Sequence, residues 1–111
     1  MIEPIDVLKK AYDLITPIEN FTQYVLARKD DDTVCSVKDL SATKFCAIGA
    51  IHRILPNEED IILTLETIYL LERATYTVYN HRLVHIINDH YIKEEGHQNI
   101  LELFRLAIKL G

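Results

Sequence analysis

Two cysteines, Cys35 and Cys46, are too few to staple a small secreted domain with disulfides. Three glycines and three prolines leave little material for long loops, which argues against disorder. Basic residues form no cluster. The nearest thing, Arg28-Lys29, runs straight into Asp30-Asp31-Asp32, and 12 basic against 17 acidic residues give a formal charge of -5. A surface without a basic face has nothing to replace phosphate counterions, so neither nucleic acid nor an anionic membrane is an expected partner. No apolar run approaches the roughly twenty residues that span a bilayer. The start, Met1-Ile2-Glu3-Pro4, has neither a basic opening nor an apolar signal segment. No internal repeat or low-complexity segment appears. The expectation is a reduced, cytoplasmic protein forming one domain over residues 1–111.

What is present is an ordinary core-forming supply: 49% of the residues are apolar and 26% charged. The spacing predicts a first helix from about Pro4 to Ile15. Proline suits its first position, and Ile5, Leu8, Tyr12 and Ile15 form the apolar stripe. Pro17 stops it. Phe21 to Ala27 is rich in strand formers, Lys29 to Asp32 reads as a polar turn, and Thr33 to Val37 completes a short hairpin near 21–37. The three aspartates lack the alternation, glycine and closing glutamate of a calcium loop.

Ser41 to Leu55 is the most informative stretch, read as one helix (about 41–55) capped by Asp39, Ser41 or Thr43. Every residue from Phe45 to Ile51 is apolar or small, and a helix apolar all round is expected to be buried all round. Ala42, Cys46 and Ala50 line one side with Gly49 beside them, which favours close approach by another backbone. Pro56-Asn57 ends this helix. Asn57 with Glu58, Glu59 and Asp60 then suits the start of another, carrying Ile61, Leu65, Ile68 and Leu71 as its core face. Thr75 to Tyr79 fits a continued helix, a bend or a short strand equally. A helical period returns from Asn80 to about Asp89, Gly96 breaks the chain, and His97 to Leu110 closes it with Ile100, Leu101, Phe104, Ala107 and Ile108 on one face. The fold class is therefore mainly α: a bundle of four to five helices around a buried central helix, with one short β-hairpin.

Cys46-Ala47-Ile48-Gly49-Ala50, followed some forty residues later by Asn88-Asp89, resembles a small bacterial and phage family of uncharacterised domains. The matching positions are Phe21-Thr22-Gln23, Ala27-Arg28, Phe45 to Ile51, Ile87 to Asp89 and Leu101 to Ala107. Phe21, where the family pattern has Trp, and the insert-like Tyr76 to Tyr79 depart from it. The resemblance implies a microbial or phage origin and assigns no reaction. It also marks Cys46, Gly49, Ala50, Asn88 and Asp89 as the motif.

Two constellations carry chemistry. Cys46 in the first turns of a helix would have its thiol pKa lowered by the dipole. With Gln23 as oxyanion donor, His85 or His90 as base and Asn88 or Asp89 as orienting group, it has the parts of a thiol hydrolase, though not the spacings. The plainer role for Cys46 is a small buried hydrophobe. If Asn80 to Asp89 is helical, His81, His85 and Asp89 stack on successive turns as candidate metal ligands, but no fourth ligand is evident and a solvated polar face explains them as well. Asn88-Asp89 is expected to shape the turn before the last helix and to hold the hairpin or Arg28. His52 reads as a half-buried structural residue. No cofactor is expected. The favoured function is a non-enzymatic protein-interaction or regulatory domain, its partner another protein or a second copy of the chain. Exposed tyrosines among Tyr69, Tyr76, Tyr79 and Tyr91 would supply contacts.

Overall fold

The computed structural model describes residues 2–56 and 60–111. Its elements run α1 (Pro4–Ile15), a 3-10 turn (Ile18–Asn20), β1 (Ala27–Lys29), β2 (Ala42–Phe45), α2 (Ala47–Ile54), α3 (Ile61–Tyr79), α4 (Val84–His90) and α5 (Lys93–Leu110). The described residues thus form a mainly helical bundle with a two-stranded antiparallel sheet. None of their helices is long and apolar enough to cross a membrane.

α1 keeps its expected bounds. The Asp6 carboxylate accepts the Glu3 N–H (3.0 Å), and Pro4 opens the first turn. Its buried face is Val7, Leu8, Ala11 and Ile15, rotated from the expected stripe so that Tyr12 lies at the edge. There the Tyr12 hydroxyl accepts Arg105 Nε–H at 2.8 Å. At the far end His97, buried beneath α1, donates from Nε2 to the Ile15 carbonyl (2.7 Å) and stacks 5.1 Å from Phe21. That bond closes one of the carbonyls a helix end leaves open.

The chain turns at the expected Lys29 to Asp32, but the second strand of the hairpin is not Thr33 to Val37. That segment meets β1 only at an Arg28–Val34 bridge, and the ladder partner is β2, with Ala27 opposite Phe45 and Lys29 opposite Ala42. The stretch 42–45, expected to be helical, is therefore strand. Its polar members explain the choice. Lys44 pairs with Asp32 (2.6 Å) and the Thr43 hydroxyl donates to Asp30 (2.7 Å), while Ala42 and Phe45 turn inward. The aspartate turn thus serves as the anchor of β2.

The central helix is consequently short, eight residues from Ala47, and it is not buried all round. Ala47, Gly49, Ala50 and Ile51 face the core, whereas Ile48, His52, Arg53 and Ile54 are half-exposed. Arg53 ties the intervening loop down by donating to the carbonyls of Val37 and Asp39, both at 2.8 Å.

α3 continues unbroken through Tyr79. The β-branched threonines are accommodated because each hydroxyl donates to the carbonyl four residues back: Thr67 to Leu63, Thr75 to Leu71, Thr77 to Arg73. The buried face is Leu63, Thr67, Leu71, Ala74 and Thr75, so Ile61 and Leu65, expected in the core, point outward. Asp60 caps this helix through the Leu63 N–H at 3.0 Å. The cap expected from Asn57 and the first-turn charges expected from Glu58 and Glu59 lie outside the described residues.

Asn80 adopts the left-handed conformation (φ 61°) and ends α3. α4 starts only at Val84, so residues 80–83 are not helical as the period implied; the His81 ring instead accepts the Leu83 N–H at 3.2 Å. Gly96 does not break the chain either. It sits inside the first turns of α5, where a side chain would meet the Asn88 carbonyl at 3.0 Å and Gln23 Nε2 at 3.1 Å.

Candidate functional site

The motif residues meet where the loop 22–26, the start of α2 and the end of α4 converge. Asn88 is the centre. Its side chain is 1% exposed and makes three hydrogen bonds. Oδ1 accepts the Ala47 N–H (2.9 Å), while Nδ2 donates to the Thr22 carbonyl (3.2 Å) and to Asp89 Oδ1 (2.7 Å). An amide suits this position because one end must accept and the other donate. Asp89 Oδ1 also takes the Tyr24 N–H (2.9 Å), which fixes that residue at φ 74°, a backbone shape a non-glycine residue keeps only when its surroundings hold it.

Gln23 stitches the other side. Its Nε2 donates to the carbonyls of Asn88 (2.9 Å) and Tyr91 (2.8 Å), closing the end of α4. Arg28 braces the loop from behind, with Nε on the Thr22 hydroxyl (2.9 Å) and a second bond to the Asp32 carbonyl (3.0 Å). The expected turn-shaping role of Asn88-Asp89 is thus replaced by a bridging one. Both residues lie within α4 and bind segments more than sixty residues earlier.

Cys46 is the N-cap of α2 rather than a residue of its first turns. Sγ accepts the Gly49 N–H at 3.2 Å, a sulfur in the place that serine or aspartate usually fills. Gly49 itself is dictated by contact: a Cβ there would lie 1.9 Å from the Leu26 carbonyl oxygen.

Above this network opens a pocket of about 330 Å³. Tyr24, Leu26 and Ile48 form apolar walls, and Cys46, His85, Asn88 and Asp89 are the polar members of its lining. Cys46 is half-buried and lines this pocket. Burial nevertheless pushes its thiol pKa up, and the Asp89 carboxylate adds to that, outweighing the Gly49 and Ile48 N–H groups that favour the thiolate. The expected depression by the helix start does not win, because loss of water around the sulfur is the larger effect.

The structure therefore brings together Cys46, His85, Asn88 and Asp89, with the Asn88 amide committed to Ala47, Thr22 and Asp89, and leaves Gln23, His90 and His81 elsewhere. Gln23 is committed to two carbonyls behind the pocket and has no amide hydrogen left to serve as an oxyanion donor. His90 stacks edge-on against Tyr91, 5.1 Å between ring centres. Among the described residues no imidazole hydrogen-bonds Sγ. His81 stands outside α4 and does not stack over His85 and Asp89. No group of three or more His, Cys, Asp or Glu among the described residues is arranged to hold a metal ion.

Sequence reasoning missed the pocket walls and the parts of Thr22 and Tyr24. The Phe21-Thr22-Gln23 segment carried the only available signal, through the family pattern. Of a second surface, only Tyr69 and Tyr76 were anticipated as exposed contact residues. α3 carries an outward row of apolar residues, interrupted at Glu72: Ile61 (65% exposed), Ile62 (70%), Leu65 (62%), Tyr69 (50%) and Tyr76 (51%). No family model, curated protein or solved structure matches the chain.

Proposed function

We propose that this domain is a non-enzymatic interaction module whose contact surface is the outer face of α3. The carrying observation is that α3 is apolar on both sides yet packed on only one. A helix apolar all round belongs in an interior, and contiguous apolar surface of this kind marks a contact site. Tyr69 and Tyr76 add large, rigid side chains of the type that dominates interfaces, and Arg82 lies over the Tyr76 ring at 5.6 Å. Leu65 stands in the middle of the row, so Leu65→Glu removes apolar contact and adds a charge where a partner would bury it. A photo-crosslinker placed at position 69 should yield a specific adduct in the otherwise wild-type chain. The Leu65→Glu substitution should reduce that adduct at least about tenfold, as expected for a central contact worth more than about 1.4 kcal/mol. A wild-type chain that gives no adduct, or one indifferent to Leu65, would remove the basis of this reading.

One observation favours a runner-up, a thiol-dependent hydrolase using Cys46 with His85 as base: both residues and Asp89 line one open pocket. The raised thiol pKa weighs against it, since the thiolate is the nucleophile. In a Cys35→Ser background, iodoacetamide should label Cys46 more slowly than a free thiol at neutral pH. The rate should keep climbing beyond the pH at which a free thiol levels off. The sign for stability follows. A thiol whose folded pKa is raised contributes stability fully below the unfolded value, and this is lost as pH rises through the folded one. Labelling faster than a free thiol below neutral pH would revive the hydrolase.

A further inference from the structure

We infer that the outer face of α3 binds a second copy of this chain, helix against antiparallel helix about a two-fold axis. The inference rests on the interaction reading above and supplies its partner. Ile62, Leu65, Tyr69, Glu72 and Tyr76 follow one another at alternating steps of three and four residues, the spacing of a seam between two helices, and Tyr79, half-buried against the core, ends the row. The seam extends for roughly 25 Å at the rise of an α-helix. The core face of α3, Leu63, Thr67, Leu71, Ala74 and Thr75, lies on the opposite side, so a second helix docks without disturbing the bundle.

Charge decides both the partner and its direction. Glu72 interrupts the apolar row. In a parallel pair equivalent seam residues face each other, which would set Glu72 against Glu72, a repulsion made worse by partial burial. In the antiparallel pair Glu72 faces Tyr69 of the second copy, whose hydroxyl is a donor. Ile62 then faces Tyr79, and Leu65 faces Tyr76. The same alignment brings exposed Glu66, flanking the seam, beside exposed Arg73 of the second copy, and the two-fold axis makes that ion pair twice. Neither residue forms an ion pair with another described residue. The surface is complementary to itself in one direction only.

Sedimentation equilibrium of the wild-type chain and its charge variants provides the test, with far-UV circular dichroism confirming that each variant keeps its helices. Wild type should be a reversible dimer. Glu66→Arg and Arg73→Glu should each weaken it at least about tenfold, since each places two like-charged pairs at the interface. The double exchange should restore the dissociation constant to within about threefold of wild type. A wild-type chain that stays monomeric up to about 1 mM overturns the inference while leaving the interaction reading to stand on its Leu65-dependent adduct with a different protein. A dimer lost in Leu65→Glu but unmoved by the charge variants, or not rescued by the double exchange, overturns the antiparallel arrangement and keeps α3 as the contact face. A dimer that survives Leu65→Glu overturns both.

Discussion

Gly49→Ala should destabilise the folded domain by about 3 kcal/mol or more, a large share of the roughly 5–15 kcal/mol that holds a domain of this size together. Taken alone, the helix would favour the change, because alanine inside a helix is better than glycine by about 1 kcal/mol. The surroundings reverse the sign. The new methyl would fall 1.9 Å from the Leu26 carbonyl oxygen and 2.8 Å from its carbon. Neither atom belongs to a flexible side chain that can swing away. Leu26 O also accepts the Cys46 N–H at 3.2 Å, so moving it breaks the bond that seats the start of α2. Urea unfolding monitored by far-UV circular dichroism measures the loss as a fall in midpoint. Gly96→Ala in the same assay should cost less, because its nearest neighbours stand at 3.0 and 3.1 Å and one of them is the end of the Gln23 side chain. A Gly49→Ala protein as stable as wild type would mean that the backbone of α2 does not lie against Leu26.

Asn88→Ala should cost about 3 kcal/mol by the same measurement. The side chain makes three hydrogen bonds from a position 1% exposed, and its loss strands the Ala47 N–H and the Thr22 carbonyl away from water. Leaving buried partners unsatisfied is the expensive outcome, well beyond the roughly 1 kcal/mol a typical bond contributes net. Asn88→Asp should not rescue stability. Its oxygen would still take the Ala47 N–H, but the donor to Thr22 is gone and a second carboxylate faces Asp89. Asp89→Asn should be far milder, since an amide oxygen can still accept from Tyr24 and from Asn88. That order, with both Asn88 variants well below Asp89→Asn, separates a structural bridge from a residue that merely lines the pocket. Equal effects at the two positions would contradict it.

Local rules carried much of the architecture. The bounds of α1 follow from Pro4 and Pro17, and the aspartate turn sits where composition puts it. The apolar face of α5 also lies where the period places it, with Ile100, Leu101, Phe104 and Ala107 all buried. The failures share a different cause. Residues 42–45 are strand because Asp30 and Asp32, a dozen positions away, receive Thr43 and Lys44, and no helical period encodes that. Gly96 lies inside α5, and its residue type reflects the neighbouring helix end that leaves little room for a side chain rather than a break. α3 presented apolar residues on both sides, so the period alone could not tell which face the bundle would cover. Of the candidate site, Cys46, Asn88 and Asp89 were legible as a motif. Their partners Thr22 and Tyr24 were not, because topology rather than spacing brings them together.

The bridging of Thr22 and Ala47 by Asn88 also has a consequence for the order of assembly. More than half the chain is synthesised before the residue that joins these two segments exists. Until then the Ala47 N–H and the Thr22 carbonyl have only water for partners. Closure of this junction waits for a late residue, as contacts so distant along the chain require.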